Sequence, residues 1–221
     1  MTERPQGAGV EGARRPIKSR SNRIIQQLAR RMAEAGISPN AISMASVVLA
    51  VLAAVSLLLV PGGVGLVLCA IGIQLRLLCN VIDGLVAVEH ARKTPSGALF
   101  NEVPDRISDS VLLVALGHAI GMPWLGWLAA VLAIFTAYIR VLGGSLGLAQ
   151  NFQGPMAKSQ RMAAMTLGCL VGAVEWHLNH SLHALHAAAW IIVLGSTLTC
   201  WARLDAISMA LNGFRPGPSG H

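Results

Sequence analysis

Charge and aromatic rings are scarce in this chain. Of its 221 residues, 12% are charged and 5% aromatic, against 54% hydrophobic. That balance excludes a soluble domain with a solvated surface and points to an integral membrane protein. The four cysteines (Cys69, Cys79, Cys169, Cys200) lie in apolar runs without metal-like spacing, so they read as reduced packing residues. Residues 1–22 are polar and basic with no apolar run, so no cleavable signal peptide is expected. No nucleic-acid motif accompanies the formal charge of +7, which is read as membrane topology and contact with anionic lipid. Glycine, by contrast, is frequent at 23 residues, and small residues let membrane helices approach closely.

The expected fold class is all-α, a polytopic membrane protein of six transmembrane helices preceded by a juxtamembrane amphipathic helix. Residues 1–15 are rich in Gly, Pro and Arg and predict a disordered basic tail. Residues 16–36 predict an amphipathic interfacial helix with Ile24, Ile25, Leu28 and Met32 as its apolar stripe. The transmembrane domain is placed at 37–212, with spans at 39–60, 65–91, 97–120, 125–147, 158–177 and 184–211, and a C-terminal tail at 213–221. Three of the intervening turns carry no Lys or Arg, whereas the N-terminal tail and the other turns hold most of the basic residues. The positive-inside rule therefore puts both termini on the cytoplasmic side. Trp124, Trp127 and Trp190 fit an aromatic belt, and the His177, His180, His183 and His186 run is read as interfacial.

Polar side chains inside such apolar helices mark a functional site. The second span carries Asn80-x-x-Asp83-Gly84-x-x-Ala87, and the third carries Gly97-x-x-x-Asn101-x-x-x-Asp105, followed by Asp109. Spacings of three and four align each set on one helix face. Two such faces form an oxygen-lined pocket suited to a hard divalent cation. Antiparallel register sets Asp83 level with Asn101, Asn80 level with Asp105, and Arg76 level with Asp109 one turn deeper. The last two are expected to pair.

Eight residues separate Val88 from Gly97. With that spacing the segment resembles the signature of the CDP-alcohol phosphatidyltransferase family, D-x-x-D-G-x-x-A-R, eight residues, G-x-x-x-D-x-x-x-D. Pro39-Asn40-Ala-Ile42-Ser43 and Gly154-Pro-Met-Ala-Lys158 resemble two further family segments, and Arg140 is similar to its phosphate-binding arginine. Three positions depart from the signature: Asn80, Asn101 and Val88 stand where it has Asp, Asp and Arg.

The resemblance implies transfer of a phosphatidyl-type group from a CDP-alcohol, above all CDP-diacylglycerol, to the hydroxyl of a small alcohol acceptor, releasing CMP. Glycerol 3-phosphate or another phosphorylated polyol is the acceptor expected if the basic residues form a pocket. It implies Mg2+ or Mn2+, one or two ions, on Asn80, Asp83, Asn101 and Asp105, with Asp105 as general base. The two asparagines offer carbonyl oxygens without charge, so a second ion would be poorly neutralised. Gly84, Ala87, Gly97, Arg92, Arg140, Lys158 and Arg161 are the expected substrate-binding residues. A bacterial inner membrane is expected, the charge distribution above puts the active site on its cytoplasmic side, and the family's frequent dimerisation leaves a homodimer open. A non-catalytic CDP-lipid-binding relative and a transporter stay open as alternatives at this point.

Overall fold

The structure is a computed structural model that describes residues 22–89 and 97–213. The described residues form seven helices: α1 (Arg23–Glu34), α2 (Pro39–Leu59), α3 (Gly62–Glu89), α4 (Gly97–Ala119), α5 (Pro123–Ser145), α6 (Lys158–Asn179) and α7 (His183–Gly213). Each stretch read as a span is a helix, with ends differing by no more than three residues. Four of them, α2, α3, α5 and α7, are long and apolar enough on their own to cross a membrane. The other two, α4 and α6, carry much of the ionic chemistry: Glu102, Asp105, Arg106 and Asp109 on α4, Lys158 and Arg161 on α6.

Local chemistry sets several helix starts. Asn22 caps α1 by accepting a hydrogen bond from the Ile24 amide at 2.9 Å. The Ser38 hydroxyl accepts from the Ala41 amide at 3.2 Å, and Pro39 follows in the first turn, where a missing N–H costs nothing. Pro123 opens α5 in the same way. The start of α7 is held from outside, because Glu175 of α6 accepts from the Ala184 amide at 3.0 Å.

The helices pack as a ring. In order around it, α3 touches α2, α2 touches α4, α4 touches α5, α5 touches α7, α7 touches α6, and α6 returns to α3. The apolar core at the ring's waist includes Ala53, Ile73, Leu112, Leu116, Met165 and Ile192. Large apolar side chains such as Val48, Leu52, Ile71, Ile134 and Leu198 face outward, as lipid contact requires. The arrangement leaves α3 and α4 as non-neighbours in the ring, separated by a space that long polar side chains fill.

At the α4–α5 crossing two glycines meet. A Cβ on Gly126 would lie 2.7 Å from the Leu113 carbonyl oxygen and 2.8 Å from the Gly117 Cα. Both obstacles are backbone, so no side-chain rotation relieves them. Helix α1 packs on α3 through a face that the sequence reading did not name. Ala29 and Ala33 are its buried residues, against Ile82, Leu85 and Val86. Ile25 and Met32 pack at the edge of that contact, while Ile24 and Leu28 point away from it. The alanines win because a close helix crossing takes small side chains, which leaves the largest apolar groups for another surface. The expected helix beginning at residue 16 and the tail 1–15 lie outside the described residues up to residue 21, as does the tail from 214.

Gly126→Leu is expected to lower stability by about 1–3 kcal/mol through overpacking against backbone. Thermal unfolding in detergent checks this, with Gly213→Ala as an unaffected control, since a Cβ there meets nothing within 4 Å.

Candidate active site

The polar side chains of α3, α4 and α6 converge in the space between α3 and α4. Its base is a buried ionic triad. The Arg76 guanidinium donates to Asp109 Oδ1 at 2.6 Å, and Arg161 donates to Asp109 Oδ2 at 3.1 Å. None of the three is more than 1% exposed. One carboxylate thus holds two guanidiniums from two different helices, and neither oxygen is left over. Arg76 also donates to the Asp105 carbonyl at 3.3 Å and to Met162 Sδ at 3.1 Å. Arg161 donates to the Met156 carbonyl at 3.1 Å and to Thr136 Oγ1 at 3.4 Å, which ties α5 and the segment before α6 to the triad.

One turn up α4 stands Asp105. Its Oδ1 accepts from Asn80 Nδ2 at 2.9 Å and pairs with Lys158 Nζ at 2.5 Å and Arg76 at 3.5 Å. Among the described residues its Oδ2 has a single long contact, 3.9 Å to Arg106. The expected register is therefore realised twice, at Asn80–Asp105 and at Arg76–Asp109.

Asp83 is different. It is buried on α3, and its Oδ2 accepts the Ser43 hydroxyl of α2. Its Oδ1 is buried with no hydrogen-bond partner among the described residues. A buried carboxylate oxygen without a donor is costly, and it is the kind of atom a cation satisfies. Asn80, one turn away and facing Asp105, spends its amide N–H on that residue and keeps its carbonyl oxygen as a hard ligand. Asn101 is exposed in the described structure, and no hydrogen bond ties it to this group. The donor set thus fits a hard divalent ion on Asp83 and Asn80. Among the described residues no three acidic, histidine or cysteine side chains gather as a metal cluster.

The expected basic pocket is only partly formed as read. Arg161 is corrected: it is not available to a substrate phosphate, because it is buried and committed to Asp109. Its place one turn into α6, facing inward, makes it a counter-ion. Lys158 faces Asp105 instead of an open pocket. Arg140 does line a cavity. It pairs with Glu102 at 2.6 Å, donates to Gln150 Oε1 at 3.1 Å and lies 5.4 Å from the Phe152 ring centre. The cavity, about 350 Å³, lies between α5, α7 and residues 148–151, with Arg140, Arg203, Gln150 and Asn151 as its polar lining. Gly84, Ala87 and Gly97 are half-buried on the facing ends of α3 and α4. Arg92 lies outside the described residues, and so does the side chain of Val88.

Three contributors escaped the sequence reading. Ser43 was legible as part of a motif but not as the partner of Asp83. Arg203 was counted as a topology marker, yet it is 4% exposed and donates to the Gln153 and Thr136 carbonyls. Thr199 accepts from the Met156 amide at 2.9 Å and sits against Gly154, whose φ of +115° suits only glycine. Arg203 and Thr199 together fix the loop that delivers Lys158. The Gly-Pro pair before Lys158 was the available signal for that loop. The cysteines are as expected: all four are free, with Cys69, Cys169 and Cys200 buried.

Comparison with known proteins places this geometry. The family model for CDP-alcohol phosphatidyltransferase matches residues 36–201. An archaetidylinositol phosphate synthase from Aeropyrum pernix is 31% identical over 78% of this chain and 87% of its own. A second one, from Methanothermobacter thermautotrophicus, is 26% identical over 57% of this chain, which spans 65% of that relative. Among solved structures, the phosphatidylinositol phosphate synthase of Mycobacterium tuberculosis with CDP-DAG bound superposes with a TM-score of 0.72, at 22% identity, over 90% of this chain and 98% of its own. The same synthase in complex with manganese and citrate also superposes with a TM-score of 0.72, at 22% identity, over 89% of this chain and 92% of its own.

Asp109→Asn would leave two buried guanidiniums without their carboxylate, at an expected cost of about 3–5 kcal/mol. Glu102→Gln removes a half-exposed partner and is expected to cost less than about 1 kcal/mol. Thermal unfolding of the two variants side by side measures the difference.

Proposed function

Because the chain belongs to the CDP-alcohol phosphatidyltransferase family and is an integral membrane transferase, we propose that it moves a phosphatidyl group from CDP-diacylglycerol to a phosphorylated polyol. An inositol phosphate is the favoured acceptor, with glycerol 3-phosphate second. The observation that carries this reading is the pairing of two oxygens on facing helices. Asp83 Oδ1 is buried without a donor, and Asp105 Oδ2 is nearly free of partners.

The roles follow from those oxygens. A divalent ion, Mg2+ or Mn2+, held by Asp83 and the Asn80 carbonyl oxygen would neutralise the donor diphosphate and the charge left on CMP. Asp105 Oδ2 takes the proton of the acceptor hydroxyl as its oxygen attacks the phosphorus that bears the lipid. The bond from that phosphorus to the bridging oxygen breaks, and CMP leaves with the electron pair. Small residues at Gly84, Ala87 and Gly97 give the nucleotide access between α3 and α4. Arg140 recognises the acceptor phosphate from the cavity beside Glu102, where a guanidinium can bind two phosphate oxygens at once. The names of the archaeal relatives, both inositol phosphate lipid synthases, support that acceptor class. The mycobacterial structure supports the donor.

The membrane reading extends the same proposal. All six helices α2–α7 cross the bilayer as one domain, and α1 lies on the surface with Ile24 and Leu28 toward lipid. The acid-bearing ends of α3 and α4, and both chain termini, are cytoplasmic. A bacterial inner membrane and, carried over from the family, a homodimer complete the picture.

CMP release from CDP-diacylglycerol, supplied with Mg2+ or Mn2+ and a panel of alcohols, tests the proposal. Release is expected to rise with inositol phosphate and to stop with EDTA. Asp105→Asn is expected to cut the rate by at least about 10²-fold without loss of fold. Arg140→Ala is expected to raise KM for the acceptor more than for the donor. Equal release with every acceptor, or none, would overturn the assignment.

A further inference from the structure

The cation balance of the site leads beyond the reaction to how this chain differs from its family. Around α4 gather four carboxylates, Asp83, Glu102, Asp105 and Asp109. Facing them are five cations, Arg76, Arg106, Arg140, Lys158 and Arg161. Where the family signature has two more aspartates, this chain has Asn80 and Asn101. The fixed cations already outnumber the carboxylates, so the negative charge that would hold a pair of divalent ions is missing.

The distribution of partners is as uneven as the total. Among the described residues Asp83 forms no salt bridge, and its Oδ1 is buried without a donor. Asp105 is saturated on one side. Its Oδ1 receives Lys158 Nζ at 2.5 Å, the Asn80 amide at 2.9 Å and Arg76 at 3.5 Å. An aspartate at position 80 would present an acceptor to Asp105 where the asparagine presents a donor. That single change turns a ligand of a shared ion into a hydrogen-bond partner of Asp105. Lys158 is delivered to this point by a built loop: Gly154 packs on Thr199, and the Met156 amide donates to Thr199 Oγ1. The ammonium is three-quarters buried, and a strongly hydrated point charge is placed there only if a carboxylate receives it.

We infer that this chain works with a single divalent ion, held at Asp83, because Asn80 and Asn101 withhold the charge for a second one, and that the Lys158 ammonium, in a segment shared with the family, is the cation that stands on Asp105 instead. The inference rests on the proposed reaction for its chemistry but concerns only which cation each aspartate carries. A tethered ammonium supplies positive charge beside the transferred phosphate without being lost to chelators. It cannot polarise a bound hydroxyl as a divalent ion does, which leaves proton removal to Asp105 Oδ2 alone.

Counting bound Mn2+ on the purified protein by equilibrium binding with paramagnetic resonance, with no substrate present, tests this separately from turnover. The unsubstituted chain is expected to bind one ion per chain. Asp83→Asn is expected to bind none, and Asp105→Asn, which is isosteric, is expected to keep its one ion. Asn80→Asp combined with Lys158→Met is expected to bind two. Two ions or none on the unsubstituted chain would overturn the inference, as would loss of the ion in Asp105→Asn. If the double variant does not fold, the first three counts decide the matter. Parallel CMP-release assays keep the outcomes apart: a count of one without CMP release rejects the proposed reaction and leaves the ion assignment standing.

Discussion

The rest of the structure depends on one carboxylate shared by two arginines. Asp109 takes Arg76 from α3 on one oxygen and Arg161 from α6 on the other, all three out of contact with solvent. In a medium of low dielectric none of these groups can be charged alone, so the three helices that carry them must assemble together or not at all. The triad thereby does what apolar packing between α3 and α4 does not. It spans the space between two helices that are not neighbours in the ring, and it holds that space at a width set by guanidinium reach. Asp83 and Asp105 sit above it, on two of the same helices. Their separation follows from the ionic floor beneath them.

A second tier of polar contacts extends this floor sideways. Arg161 reaches Thr136 and the Met156 carbonyl, and Arg203 reaches the carbonyls of Thr136 and Gln153. These donors satisfy carbonyls that a membrane interior would otherwise leave unpaired. They also anchor the α5–α6 connection at both ends, so that the wall of the Arg140 cavity and the position of Lys158 are set by the same arginines. The charged residues that the positive-inside rule counts are in this way divided into two populations. Some, such as Arg30 and Arg31, are exposed, and others, Arg161 and Arg203, are internal donors.

The helices and the register of the site were legible because both rest on periodicity and length. Apolar patterning and length placed α2 to α7 with ends within three residues, and spacings of three and four placed Asn80 against Asp105 and Arg76 against Asp109. The motif resemblance supplied the family, which the match over residues 36–201 bears out. What escaped the sequence was partner choice. Arg161 and Arg140 look alike in a linear reading, since each is an arginine near a helix end. Only the packing shows that one is buried against Asp109 while the other lines a cavity. The face of α1 that meets protein was missed for a related reason. Hydrophobicity identifies Ile24 and Leu28 as apolar but does not say whether lipid or protein covers them, and the small Ala29 and Ala33 made the closer contact.

The Gly117–Gly126 contact has a mechanical side. It pins α4 to α5 near the end of α4 farthest from the acids, twelve residues beyond Asp105. At the rise of a helix that distance is about 18 Å, so α4 behaves as a lever with its fulcrum at the glycines. A tilt of about 3° there carries the Asp105 carboxylate through about 1 Å, a displacement large enough to spoil in-line attack. The position of the Asp105 carboxylate is thus governed from the far end of α4, by the absence of two methyl groups.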